Sequence, residues 1–110
     1  MRKVLVIGSN GLVGKGVSDF FENTKNVQLT KIDMNENFDL RDKQSVQKYL
    51  KSKSDIEYIV NCSGVNDHVD ENDSLDSTKT DLDNIDLFFD INVKSVCRII
   101  EYSKENLNNL

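Results

Sequence analysis

Seven residues near the amino terminus, Gly8-Ser9-Asn10-Gly11-Leu12-Val13-Gly14, carry three glycines at a spacing of three. They follow a short apolar run and precede a segment of helical periodicity. Glycines at such a junction permit a tight turn, a close approach of the main chain to a bound group, and close packing of helix on strand. The main-chain N–H groups of the first helical turn, together with the positive end of the helix dipole, then attract a phosphate. A second residue fits this chemistry. Asp33 ends the next apolar run, 19 positions after Gly14. An acid about 20 residues beyond such a glycine turn can accept hydrogen bonds from the hydroxyls of a ribose. Phosphate and ribose recognition together imply a dinucleotide. A carboxylate there would also repel an additional phosphate on that ribose, so NAD is favoured over NADP.

These residues need elements to hold them. Lys3 to Ile7 form a continuous apolar, β-branched run, the pattern of a strand covered on both faces of a parallel sheet. From Gly11 to Asn23 the apolar residues Val13, Val17, Phe20 and Phe21 recur at helical spacing and predict one inward face. Val27 to Ile32 predicts a second strand. Phe38-Asp39-Leu40 predicts a short edge strand, after which Asp42 caps a helix bearing Val46, Tyr49 and Leu50. Ile56 to Cys62 predicts a further buried strand. Residues 65 to 79, rich in Asp, Asn and Ser, predict a solvated loop. Thr80 and Asp83 then form a capping box at the start of a long helix, whose stripe would comprise Ile85, Phe89, Val96 and Ile99. Alternating strands and helices predict an α/β fold with a parallel sheet and helices on both faces, built here from three main strands plus the short edge strand. Only five residues separate Asp33 from Asp39. A helical crossover needs roughly a dozen or more, so the helix expected at that point is absent.

Composition narrows the classes of function. The chain has 110 residues, a formal net charge of −5, no proline, and four of its five glycines between positions 8 and 16. One domain, without linker or repeat, is expected. No basic cluster exists to neutralise phosphates, which argues against nucleic acid and anionic membrane as partners. The run Val4 to Ile7 is too short to span a bilayer and lacks the pattern of an export signal, so a cytoplasmic protein is expected. Cys62 and Cys97 lack metal-ligand spacing and are expected to be buried reduced thiols; no metal site is expected. Gly14-Lys15 is not a mononucleotide P-loop, because the spacing to Gly8 is wrong and Gly16 stands where Ser or Thr is required. Asp70 to Asp81 is not a calcium loop, because Leu75 stands where glycine is required. His68, the one histidine, is assigned no role.

With these motifs in hand, the chain resembles the short-chain dehydrogenase/reductase family from Lys3 to about Ser103, with a Rossmann-like fold. Gly8 to Gly14 has the glycine spacing of the extended members, which include nucleotide-sugar epimerases, dehydratases and reductases. Asp39-Leu40-Arg41-Asp42 resembles the family's adenine-binding DLxD segment, which implies that Asp39 accepts from the adenine amino group beside Leu40. Asn61-Cys62-Ser63-Gly64 is similar to the NxAG segment that lies along the cofactor. Ile91-Asn92-Val93-Lys94-Ser95 resembles the NVxG-type segment, which implies that Asn92 helps hold a proton-relay water in catalysis. Asn92 also falls at the spacing of Phe89 and Val96, where a buried amide would need partners. The short connection before Asp39 resembles the sugar-nucleotide reductases for deoxy sugars, whereas the NVK segment leans toward simpler members. The two features point to different branches, leaving nucleotide-sugar and small carbonyl or alcohol substrates both open.

The family's catalytic serine and its YxxxK pair follow a fifth strand, which this sequence does not contain. Tyr49 and Lys53 match that spacing, but they precede the Ile56 strand and so lie toward the wrong end of the sheet for a ligand site. The sequence is therefore expected to be the NAD(P)-binding front part of a longer oxidoreductase, epimerase or dehydratase, without turnover by itself and marginally stable or self-associating, the longer protein being compatible with a homo-oligomer. A non-catalytic dinucleotide-binding or sensor module acting through a partner is the alternative.

Overall fold

The computed structural model describes residues 1–53, 55–64 and 85–104. Three parallel strands, β1 (Arg2–Ile7), β2 (Val27–Ile32) and β3 (Tyr58–Asn61), form one sheet in the order β2-β1-β3. Arg2 to Ile7 pairs in register with Val27 to Ile32, and Val4 to Ile7 with Tyr58 to Asn61. Central placement explains the unbroken apolar run of β1: Val4, Leu5, Val6 and Ile7 are all buried. Helix α1 (Leu12–Glu22) connects β1 to β2, and α2 (Lys43–Ser52) connects β2 back across β1 to β3. Because the two connections run in opposite directions along the sheet, right-handed crossovers place these helices on opposite faces.

The larger core lies on the α2 face. Leu5 and Ile7 cluster there with Phe38, Leu40, Val46, Leu50, Ile56 and Ile99. Asp42 caps α2 as expected, its carboxylate accepting from Gln44 N at 3.0 Å. β3 is shorter than the sequence predicts. Ile56 is already buried but precedes the strand, while Glu57 N donates to Lys3 O and Cys62 N to Ile7 O at the two ends.

Three expectations are corrected. No edge strand forms at Phe38-Asp39-Leu40. Asn35 and Phe38 instead close a tight turn on themselves through a pair of main-chain hydrogen bonds of 3.0 and 3.3 Å, and Asp39 N donates to Ser45 Oγ. The alternation that suggested a strand is real, since Phe38 and Leu40 are each 1% exposed, but both side chains plug the core while the main chain bonds locally.

The inward face of α1 is rotated from the predicted one. Gly14 and Ser18 are buried and Val17 and Phe21 half-buried, whereas Val13 and Phe20 are both 66% exposed. Gly14 is the cause: a Cβ on it would stand 1.9 Å from Gly8 O, so the helix touches the strand end along its smallest residue.

The last helical segment is α3 (Ile85–Phe89), a π-helical stretch (Asp90–Lys94) and α4 (Ser95–Ser103). Its buried stripe is Ile91, Ser95, Ile99 and Ser103; Ile85, Phe89 and Val96 are exposed. Ile99 is buried as predicted, and between Phe89 and Ser95 the wider π turn changes the phase of the stripe that leads to it. Ser95 and Ser103 can lie inside because their hydroxyls donate to Ile91 O and Ile99 O one turn back. The expected loop 65–79, the capping box at Thr80 and Asp83, His68 and the end of the chain lie outside the described residues.

Candidate functional site

A cleft of about 340 Å³ opens at the carboxyl ends of the strands. Its floor is the turn after β1. Gly8 has φ +79°, and a Cβ on it would approach Ser63 N to 2.7 Å and Cys62 C to 2.8 Å, so only glycine lets the β1 and β3 exits meet. Gly8 N also donates to Ile32 O at 2.9 Å, tying in the end of β2. Gly14 is required by its contact with Gly8, as above. Gly11 differs from both. It occupies the N-cap of α1 with ordinary extended dihedrals, φ −73° and ψ 171°, and the nearest atom to a Cβ there is Gly8 O at 3.7 Å. The fold does not demand glycine at position 11. No side chain caps α1, and no acidic residue stands in its first turn.

Asp33 points into this turn. Its Oδ2 accepts from Asn10 N at 2.8 Å and its Oδ1 from Met34 N at 2.7 Å, so the carboxylate links the end of β2 to the glycine turn. On the other side Asn61 Oδ1 accepts from Ser63 N at 3.1 Å and Ser63 Oγ at 2.5 Å, which folds the β3 exit back beside the cleft.

The structure brings together Gly8, Asn10, Gly11, Asp33, Leu40, Cys62, Ser63 and Gly64 around the cleft. Leu12, Val13, Gly14, Asp39 and Asn61 do not line it. Leu12 and Val13 present their side chains to solvent, and Gly14 and Asn61 shape the turns behind. Asp39 is turned to Arg41, whose Nε and Nη2 donate to it at 3.1 and 2.9 Å and whose main-chain N adds a third bond at 2.9 Å. Hydrogen bonding from Arg41 is the main reason its carboxyl titrates below the usual range, against a smaller opposing effect of burial.

Met34 and Ile91 also line the cleft and were not foreseen. Met34 directly follows the acid and could have been found by position. Ile91 became visible only with the phase of the π turn. That same phase corrects the placement of Asn92, which is exposed rather than part of a buried stripe. It remains beside the cleft: a Cβ on Gly64 would lie 3.3 Å from Asn92 Oδ1. The phase also puts Cys97 at the surface, against the expectation of a buried thiol, while Cys62 is half-buried at the cleft. Tyr49 packs on Phe38 with ring centroids 4.9 Å apart, and Lys53 Nζ sits 5.6 Å above its ring. Burial raises the Tyr49 phenol pKa, the opposite of what a proton-exchanging tyrosine needs at neutral pH.

A parallel sheet whose central strand ends in a glycine turn beneath a helix start, with a cleft at the strands' carboxyl ends, is a Rossmann-like α/β arrangement. The family model described as the NAD dependent epimerase/dehydratase family matches residues 4–109, and the chain belongs to that family. Solved structures agree on the fold. The protein lin1944 from Listeria innocua superposes with a TM-score of 0.77 at 17% identity, covering 98% of this chain and 52% of that one. A short chain dehydrogenase family protein from Francisella tularensis subsp. tularensis SCHU S4 gives 0.74 at 24% identity, covering 97% and 47%. A dTDP-4-dehydrorhamnose reductase from Bacillus anthracis str. Ames, solved in complex with NADP, gives 0.66 at 18% identity, covering 96% and 34%. The chain thus spans about half the length of the first two and about a third of the last. Among curated proteins no sequence matches significantly. Among the described residues no helix is long and apolar enough to cross a membrane.

Proposed function

We propose that this chain forms the NAD(P)-holding part of an oxidoreductase, epimerase or dehydratase of the short-chain dehydrogenase/reductase type. The observation that carries the proposal is Gly11, a glycine at the cleft with room in the fold for a side chain. The N-cap position favours glycine over alanine but would be served as well or better by Ser, Thr, Asp or Asn, whereas a ligand approaching the main chain there requires that no side chain be present. The Gly11 main chain at the start of α1, where no acidic residue stands, would hold the pyrophosphate. Asp33, held at the turn by Asn10 N, accepts from the adenosine ribose. Met34 and Leu40, which line the cleft next to Asp33, would hold the base. When bound, the nicotinamide supplies a centre that gives or takes hydride. Ser63, Gly64 and Asn92 flank the other end of the cleft, where a nucleotide-sugar or small carbonyl or alcohol substrate would meet it.

NAD is preferred over NADP, because a further phosphate on the ribose would meet the Asp33 carboxylate. The reductase bound to NADP makes that preference worth testing directly. Titration with NADH and NADPH, followed by nicotinamide fluorescence, is the experiment. NADH should bind more tightly, and Asp33→Asn should weaken NADH by about 10- to 100-fold, the worth of hydrogen bonds to a charged group, while weakening NADPH less. Gly11→Ala has room in the fold and should still weaken both. A folded Gly11→Ala protein that binds NADH as the parent does would refute the proposal.

A further inference from the structure

The proposed dinucleotide cleft has two walls that come from distant parts of the chain. One is the connection after β2, carrying Leu40; the other is the π turn, carrying Ile91. Arg98, on α4, touches both. Its Nη1 donates to Leu40 O at 2.8 Å, across 58 positions of sequence, and lies 2.7 Å from Asp90 Oδ1, the residue that opens the π turn. Both side chains are mostly withdrawn from solvent, at 20% and 29% exposure. Asp90 Oδ1 is fully buried and no donor is aligned on it, so charge holds that contact while the directional bond goes to Leu40. Neither acceptor is satisfied by its own element, and a buried acceptor without a partner is costly.

Resting on the proposed function, we infer that Arg98 is a positioning residue for the adenine side of the cleft, fixing the Leu40 wall against the π turn. Two further charges stand at the same place. Arg41 pairs with Asp39 at 2.9 Å on the chain next to Leu40, and Asp39 also feels the Arg98 charge. The Asp39–Arg41 ion pair is more exposed and stays within its own turn, so it shapes that turn without reaching the other wall. Arg98 alone of these four joins the Leu40 connection to α4. Its guanidinium suits the task because Nη1 can direct one N–H at Leu40 O while the delocalised, permanent charge faces Asp90 Oδ1. With the guanidinium removed, the Leu40 main chain would lose the donor that orients it, and the surface offered to the base would be set less firmly.

The glycine turn is built without Arg98. Gly8 is held by Ile32 O, Asn10 by Asp33 and Gly11 by Gly8 O. The inference therefore separates two probes: ADP-ribose, which carries the base, and inorganic pyrophosphate, which does not. Calorimetric titration of both should be run on the parent, Arg98→Met and Arg98→Lys, at a temperature where circular dichroism shows each to be folded. Arg98→Met should bind ADP-ribose about tenfold more weakly, with pyrophosphate unchanged. Arg98→Lys keeps a charge opposite Asp90 and serves if the methionine variant does not fold; it should show a smaller loss in the same direction. A folded variant of either kind with ADP-ribose affinity within about twofold of the parent overturns the inference, as does an equal loss for both probes, which would mean general loosening. If the parent binds neither probe, the proposed function itself has failed.

Discussion

Two substitutions of the same chemistry, two residues apart in one helix, should have opposite effects on stability. Gly14 and Gly16 both lie inside α1, and alanine at either gains about 1 kcal/mol of helix propensity and of reduced freedom in the unfolded chain. At Gly16 nothing lies within 4 Å of the added methyl group, so most of that gain should appear. Gly16→Ala is expected to raise stability by about 0.5–1 kcal/mol, a rise of several degrees in Tm for a domain of this size. At Gly14 the methyl carbon would stand 1.9 Å from Gly8 O, 2.8 Å from Gly8 C and 2.9 Å from Ser9 Cα. All three are main-chain atoms of a turn fixed to the sheet, so no side chain can rotate away. The separation from Gly8 O must grow beyond 3.0 Å, and α1 can achieve this only by lifting Ser18, Val17 and Phe21 from the strands. Overpacking of this kind costs about 1–3 kcal/mol and more where the main chain blocks relief. Set against the propensity gain, Gly14→Ala should lose about 2 kcal/mol net, a large share of the stability of a small domain. Urea unfolding followed by circular dichroism measures both variants against the parent. A Gly14→Ala protein as stable as Gly16→Ala would refute the close packing of α1 on the β1 turn and the account of the rotated helix face that depends on it.

Phe38→Ala should cost about 3–5 kcal/mol in the same assay, since the ring is 1% exposed and supports Tyr49. The pH dependence has a definite sign: Asp39 and Asp55 both titrate below their ordinary value, chiefly through hydrogen bonds from Arg41 and Lys3. The unfolded chain therefore takes up these protons first, and the stability they contribute, present above about pH 4, should fall away as pH drops through the lower folded values. Asp55 is largely exposed and Asp39 about a third exposed, so solvent screens both ion pairs and the effect is small; a double Asp39→Asn, Asp55→Asn variant should flatten the acid limb of urea midpoint against pH, and an unchanged limb would contradict it.

What was legible in the sequence was whatever repeats a simple period or carries a strong local rule. β1 could be read because a central parallel strand is apolar on both faces, and the Asp42 cap because a side-chain acceptor before a helix has few other uses. Gly8 to Gly14 and Asp33 stood out by spacing, and the structure brings Asp33 to that turn by hydrogen bonds no sequence displays. What failed were helix faces. Both misjudged faces involve small inward residues, Gly14 and Ser18 in one helix and Ser95 and Ser103 in the other, which an apolar-stripe rule reads as surface. The π turn added a second error, since one widened turn moves Asn92 and Cys97 outward and Ile91 inward. Phe38 and Leu40 misled differently: alternation marked burial correctly but does not specify what the main chain bonds to.

The three glycines of the turn now carry separate physical loads. Gly8 stands where the chain leaves β1, against the β3 exit, at the floor of the crevice at the strand ends. It has positive φ and touches the β3 exit, so changing it must damage sheet closure and cleft floor together. Gly14 faces the strand end and not the cleft, so its loss should register first as instability. Gly11 faces the cleft with room for a side chain, so its loss should register as weakened ligand binding in a folded protein. One motif thus predicts three distinguishable phenotypes. A turn selected for geometry alone would not separate them, because alanine at position 11 would then cost at most the difference between glycine and alanine as an N-cap and leave ligand binding by the folded protein unchanged.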